Sequence, residues 1–77
     1  MNHISDEQEA ITLAYRIALT FNDTDNNQIY LAFCKKYPLE IVREVFVYVR
    51  DLPDEKIRKS RSALFFYLCK QRNGEQA

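Results

Sequence analysis

The sequence has one glycine, Gly74, and one histidine, His3, and both lie near the ends of the chain. A loop that cradles phosphate groups needs several closely spaced glycines, so we expect neither a P-loop nor a dinucleotide-binding turn. A catalytic Ser, Thr or Cys needs a positioned base, and a zinc site needs clustered His and Cys, which this sequence lacks. We therefore expect no enzyme activity, no metal and no cofactor.

Cysteine is also scarce, with Cys34 and Cys69 as the two examples in 77 residues. They are too few and too far apart for a disulfide framework or a CxxC metal knuckle. Both fall within apolar helical patterns, so we predict two reduced thiols that act as small core residues. A disulfide between them is the alternative that the sequence leaves open.

The chain has no long apolar run. No stretch approaches the roughly 20 residues of a membrane-spanning helix. Asp6, Glu7 and Glu9 stand where a secretory signal would be basic and then apolar. The composition is nevertheless 47% hydrophobic, with five Tyr and five Phe, which is ordinary for a folded protein. We expect a cytoplasmic protein with no membrane partner.

Four segments repeat their apolar residues at steps of three and four, which is the period of an amphipathic helix. Turn-forming residues or a proline separate each segment from the next. The predicted helices are 5–21, 26–37, 39–52 and 61–71. Ile29 belongs to the apolar stripe of the second helix, and Val45 and Val49 belong to that of the third. Because each has an apolar stripe that needs a partner, we predict an all-α fold, a compact bundle of four helices.

The bundle accounts for the chain as a single small domain over residues 1–77. Ser5 and Asp25 each precede a glutamine by three residues, the spacing of a capping box, so we predict them as caps of the first two helices. Ser60 is predicted to cap the last helix. Residues 1–4 and 73–77 lie outside the periodic segments. We expect both to be disordered tails.

The third segment also contains Val45-Phe46-Val47-Tyr48-Val49, whose β-branched and aromatic residues suit a strand. A helical period gathers the charged residues of 39–52 on one side, whereas alternation by two does not. We therefore favour a helix, with Tyr48 in its apolar half. The same wheel places Val47 among charged residues, where an apolar side chain is either an ordinary exposed residue or a partner contact.

Charge is unevenly distributed, although the formal net charge is zero. Residues 1–25 carry a net charge of −4, and residues 56–72 hold six basic residues and no acid. The densest part is 56–62, Lys-Ile-Arg-Lys-Ser-Arg-Ser, with four cations and two hydroxyls where the last helix is predicted to begin. This is the strongest charge asymmetry in the chain.

A phosphate backbone is bound by clustered Lys and Arg, by hydroxyls and by free amides at a helix N-terminus, and residues 56–62 provide all three. Phe66 and Tyr67, two turns on, are candidates to stack on bases, although aromatics flanked by leucines are more often core residues. The alternative is a basic surface without a ligand. The predicted nucleic-acid-binding residues are Lys56, Arg58, Lys59, Ser60, Arg61, Ser62, Tyr67 and Lys70.

Residues 35–42, KKYPLEIV, and 56–68, KIRKSRSALFFYL, resemble small C-terminal helical modules of phage- and plasmid-type replication proteins and of helicase-loader-like proteins from bacterial mobile elements. The resemblance covers roughly 29–70. It implies a helix that ends in a basic-Tyr-Pro turn, a long helix, a basic linker and a short aromatic helix. It also implies a role beside DNA in a replication or transfer system, with 56–62 as the contact.

These observations predict a small non-enzymatic accessory DNA-binding domain of a mobile-element replication or transfer system. The competing hypothesis is a protein–protein interaction adaptor or regulator that does not bind nucleic acid. In that case the acidic N-terminal half and the basic C-terminal half dock on a partner or on each other, which the zero net charge favours. The expected partners are nucleic acid, a protein of a replication or transfer complex, or both, and a homodimer is left open.

Overall fold

The computed structural model describes residues 6–74, and for Asp6 it describes the backbone alone. Its helices are α1 (Asp6–Thr20), α2 (Asn27–Lys36), α3 (Leu39–Asp51) and α4 (Arg61–Arg72). Single 3-10 turns, Thr24–Asn26 and Asp54–Lys56, lie before α2 and α4. Residues 6–74 contain no strand, so the all-α prediction is confirmed and the third segment is a helix.

Prolines separate the helices as the sequence predicts. Tyr37 is extended, with φ −109° and ψ 153°, because the following proline ring disfavours the helical conformation. The carbonyl of Pro38 then accepts bonds of 3.0 and 3.1 Å from the amides of Ile41 and Val42, which begin α3. Leu52, before Pro53, is extended in the same way and ends α3.

The helix caps agree with prediction at one position and differ at another. Ser60 caps α4, since its Oγ accepts a hydrogen bond of 3.0 Å from the amide of Ala63. Asp25 does not cap α2, because it lies within the Thr24–Asn26 turn, which runs directly into the helix. The cap position is Asn26, whose side chain makes no capping hydrogen bond to the helix. The Ser5 cap lies outside the described residues.

Beyond the end of α4, the first two residues of the predicted tail still make hydrogen bonds to the helix. The amide of Asn73 donates to the Cys69 carbonyl at 3.1 Å, and the amide of Gly74 donates to the Gln71 carbonyl at 3.0 Å. Gly74 has a φ of +86°, a conformation that glycine adopts without a Cβ clash. The predictions for 1–4 and 75–77 lie outside the described residues.

One core joins all four helices. Cys34 and Cys69 are confirmed as buried free cysteines within it. Burial raises the pKa of the Cys34 thiol to about 11 and that of the Cys69 thiol to about 12, so both are protonated at neutral pH. The buried residues of the core are Ala10, Leu13, Ala14, Ile17, Ala18, Tyr30, Cys34, Tyr37, Val42, Val45, Phe46, Val49, Phe65 and Cys69.

Aromatic side chains fix α4 against α2. The ring of Phe66 lies 4.7 Å from that of Phe33 and 5.0 Å from that of Tyr30, measured between centroids. Phe65 lies 5.8 Å from Tyr30 and meets Phe21 edge-on at 5.9 Å. Pairs of this kind contribute about 0.5–1.5 kcal/mol beyond the area they bury. They hold the first turns of α4, and hence its basic residues, in place.

Two residues of the predicted apolar stripes are exposed instead. Ile29 of α2 is 44% exposed and Tyr48 of α3 is 57% exposed, because each lies at an edge of its stripe that no neighbouring helix covers. Val47 is 42% exposed, as its place on the helical wheel predicts.

Within residues 6–74, no helix is both long enough and apolar enough to cross a membrane.

Candidate functional site

The predicted basic segment forms a groove where α4 begins. The groove has a volume of about 460 Å³ and lies between the Asp54–Lys56 turn, the residues that follow it and the first two turns of α4. Five of the eight predicted binding residues line it. We name it the basic groove; its lining residues are Lys56, Arg58, Lys59, Ser60, Ala63, Leu64 and Tyr67.

The cations of the basic groove are not neutralised by neighbouring acids. Lys56, Arg58 and Lys59 are exposed. Within residues 7–74, no carboxylate lies within ion-pair distance of any of the three. Like charges that lie close together on a surface produce a local positive potential. The groove therefore attracts anions, although the chain as a whole has no net charge.

The amino end of α4 adds hydrogen-bond donors to this field. Ser60 satisfies the amide of Ala63. The amides of Arg61 and Ser62, at the first turn, have no acceptor inside the helix, as at any α-helix start. The helix dipole also places partial positive charge at this end. An anion in the groove thus meets side-chain charge and helix-terminus charge of the same sign.

The two aromatics that α4 carries beside the groove have separate environments. Phe66 is half-buried and belongs to the core through its contacts with Phe33 and Tyr30. Tyr67 is 49% exposed and lines the groove. Its hydroxyl accepts a hydrogen bond of 3.2 Å from Nε2 of Gln71. Tyr67 is the aromatic that a base can reach.

The side chain of Arg61 turns into the protein. Its Nη1 donates to the Val49 carbonyl at 2.5 Å, and its Nη2 donates to Oδ1 of Asp54 at 2.6 Å. The guanidinium therefore ties the end of α3 to the turn that carries the groove. Arg61 does not line the groove, and a role for it in ligand binding stays a prediction.

Ser62 also has partners inside the protein, in a polar cluster that sequence reasoning missed. Its Oγ lies 2.5 Å from the Tyr30 hydroxyl and donates to Oδ2 of Asp23 at 3.1 Å. Asn26 donates to the other carboxylate oxygen of Asp23 at 2.9 Å. Ser62 and Asp23 are 39 residues apart, and no local sequence pattern indicates a contact at that distance. Binding by Ser62 stays a prediction.

Hydrogen bonding sets the protonation state of this cluster. The hydrogen bond from the Tyr30 hydroxyl, followed by those from the Ser62 hydroxyl and the Asn26 amide, lowers the pKa of Asp23. Burial, more than any other cause, raises the pKa of Tyr30 to about 12. A carboxylate with a lowered pKa is a poor base toward a serine hydroxyl. The arrangement therefore fits a structural tie between the α1–α2 turn and α4.

Lys70, the last predicted residue, is exposed on α4 beyond the residues that line the groove. Its neighbour Arg72 pairs with Glu44 of α3. Lys70 thus extends the positive surface along α4 without forming part of the concave site.

No protein-family model, curated protein or solved structure matches this chain. We therefore infer function from the chemistry of the basic groove. Residues 6–74 contain no cluster of three or more His, Cys, Asp or Glu side chains placed to hold a metal ion.

Proposed function

We propose that this protein is a small non-enzymatic nucleic-acid-binding domain that holds a phosphate backbone in the basic groove. One observation carries the proposal. Lys56, Arg58 and Lys59 stand together without a described acidic partner, beside the amino end of α4 and the exposed ring of Tyr67.

Each part of the groove has a role in this proposal. The three cations neutralise phosphates and release their counterions, which gives affinity without base specificity. The free amides of α4 bind a phosphate oxygen. Tyr67 stacks on an unpaired base, so single strands or duplex ends gain a contact that a continuous duplex lacks.

Residues 29–70 resemble helical modules of replication proteins, and this resemblance supports a role in replication or transfer. We extend the proposal to an accessory role in the replication or transfer of a mobile element, in the cytoplasm and beside DNA. The segment that the resemblance marks as the DNA contact, 56–62, supplies four of the seven residues of the basic groove.

Ion pairs within the protein favour nucleic-acid binding over the alternative function, that of an adaptor whose acidic N-terminal half docks on a partner protein. Lys35 lies 3.9 Å from Glu7, and Arg43 lies 3.7 Å from Glu9, between the charged atoms. Glu7 and Glu9 of α1 thus face cations of α2 and α3. Within residues 7–74, Lys56, Arg58 and Lys59 of the basic groove have no such pairs.

Fluorescence anisotropy with labelled single-stranded and duplex DNA tests the proposal. Three neutralised phosphates predict that duplex affinity falls roughly fortyfold between 50 and 200 mM salt. The triple variant Lys56→Ala/Arg58→Ala/Lys59→Ala should bind much more weakly, with a nearly flat salt dependence.

A matched control removes as much charge from another face of the protein. Arg16→Ala/Lys35→Ala/Lys36→Ala should keep most of the wild-type affinity, because none of the three lines the basic groove. Equal losses of DNA affinity in the two triple variants would mean that binding depends on overall charge and not on the basic groove. A wild-type protein that binds neither DNA at micromolar concentration in 50 mM salt would refute the proposal.

A further inference from the structure

A second groove, with no residue in common with the first, lies between α1 and α3. It has a volume of about 410 Å³. Leu13, Phe46 and Val47 form its apolar part. We name it the arginine groove, after the three arginines that line it, Arg16, Arg43 and Arg50.

The charge of the arginine groove is positive. Glu9 is the one acid among its lining residues, and it lies 3.7 Å from Arg43. Arg50 pairs with Asp51, its neighbour in the chain, at 2.9 Å. No carboxylate within residues 7–74 lies within ion-pair distance of Arg16. Three guanidinium groups against the two carboxylates of Glu9 and Asp51 leave a net positive charge, centred on Arg16, that complements an acidic ligand.

The apolar part indicates which acidic ligand fits. Val47 is 42% exposed on a helix face that is otherwise charged, between Arg43 and Arg50 in the sequence. The guanidinium of Arg50 lies over the ring of Phe46, 5.7 Å from its centroid, and Phe46 is buried, so Val47 is the exposed apolar side chain of the groove. A phosphate backbone cannot remove Val47 from water, whereas an apolar side chain can.

Guanidinium groups match carboxylates well, because their planar N–H donors bind both carboxylate oxygens. We propose that the arginine groove docks an acidic peptide segment of a partner protein. An apolar side chain of that segment covers Val47, and a carboxylate of the segment pairs with Arg16. The proposal does not depend on nucleic-acid binding, since the two grooves share no residue.

The test uses full-length ¹⁵N-labelled protein and a Glu-rich peptide with Leu or Phe at every third or fourth position. Amide resonances around Arg16, Arg43 and Val47 should shift as peptide is added. The same peptide with Gln for Glu, and a second one with Ala for Leu and Phe, should each lose binding about tenfold. Shifts confined to the basic groove, or no shifts, would overturn the proposal.

Variants of the two grooves serve as controls for each other. Arg16→Glu and Val47→Asp should each weaken peptide binding about tenfold, while Lys59→Glu, which changes the net charge as much as Arg16→Glu does, should change it little. Arg16 and Val47 are both exposed, so we expect both variants to fold as wild type does, and circular dichroism checks this. Unchanged peptide affinity in Val47→Asp overturns the apolar contact and with it the proposal.

Sedimentation separates a partner from a second copy of the chain. Wild-type protein should remain monomeric at the concentrations of the peptide titration. A dimer that Arg16→Glu dissociates would assign the groove to self-association and overturn the proposal.

Discussion

The hydroxyl of Tyr30 donates a hydrogen bond of 2.8 Å to Oδ2 of Asp23, and the same hydroxyl lies 2.5 Å from Oγ of Ser62. This contact joins three parts of the chain: the turn after α1, the middle of α2 and the first turn of α4. The Tyr30 ring is buried. Hydrogen bonds at the edge of the aromatic cluster thus hold α4, which carries part of the basic groove, against the α1–α2 turn and α2.

Tyr30→Phe should destabilise the protein by about 1–3 kcal/mol at neutral pH, because Ser62 and Asp23 lose a part-buried partner. Urea unfolding of wild type and variant measures the difference. A variant as stable as wild type would show that water replaces the hydroxyl at no cost.

The contribution of Asp23 gives this tie a pH dependence. Its folded-state pKa lies below the ordinary value of 3.8. The stabilisation is therefore complete above the unfolded-state pKa and is lost as pH falls through the folded-state pKa. The stability difference between wild type and Tyr30→Phe should shrink as pH falls below about 4. Urea unfolding over acidic pH measures it, and a difference that stays constant would contradict this role of Asp23.

Arg61→Ala should destabilise the protein by about 1–2 kcal/mol, because the Val49 carbonyl loses its donor. The Asp54 contact adds little, since that side chain is 99% exposed. Lys59→Ala, two residues away and without an internal partner in the described chain, is the matched control and should unfold at the wild-type temperature. Circular dichroism on heating measures both. If Arg61→Ala keeps the wild-type Tm and loses DNA affinity, Arg61 is a ligand-binding residue.

The contrast between Ser60 and Ser62 shows how far sequence reasoning extends. Ser60 was predicted as the α4 cap because a cap bonds to an amide three residues along, which is a local property. Prolines end helices for equally local reasons, so the bounds near Pro38 and Pro53 agree with prediction. Ser62 bonds to residues 32 and 39 positions earlier, and only the tertiary fold brings them together.

Helical periodicity predicted which residues lie at the centre of a buried stripe, but it did not predict where the edges of the stripe become exposed. It predicted the burial of Val45 and Val49, which lie at the centre of the α3 stripe. It was wrong for Tyr48, because the wheel does not say where the neighbouring helices lie. For Phe66 and Tyr67 the sequence left core and ligand contact open. Phe66 is half-buried in the core and Tyr67 is exposed, which follows from the position of α2.

The thiols of Cys34 and Cys69 should resist alkylation in native protein, because both are buried and protonated at neutral pH. Mass spectrometry after iodoacetamide treatment should find little label without urea and full label above the unfolding midpoint. Rapid labelling of both without urea would place them outside the core.

The same thiols predict a loss of stability at alkaline pH. Their folded-state pKa values, about 11 and 12, lie above the ordinary value of 9.0. Their contribution is complete below pH 9.0 and is lost as pH rises through these folded-state values. Cys69→Ala should weaken this dependence, although the cavity lowers stability at every pH. Urea unfolding between neutral and alkaline pH measures it, and equal pH profiles for variant and wild type would contradict the assignment.

Tyr67→Ala should weaken binding of single-stranded DNA by about 1–3 kcal/mol, because a stacked base loses the ring, and should change duplex affinity much less. Tyr67→Phe keeps the ring and should bind as wild type does. Tyr48→Ala is the control. Tyr48 is 57% exposed, compared with 49% for Tyr67, but it lies on α3 outside the basic groove. Anisotropy with a labelled single strand compares the variants. Equal losses in Tyr67→Ala and Tyr48→Ala, or a loss in Tyr67→Phe as large as in Tyr67→Ala, would mean that Tyr67 does not stack on a base.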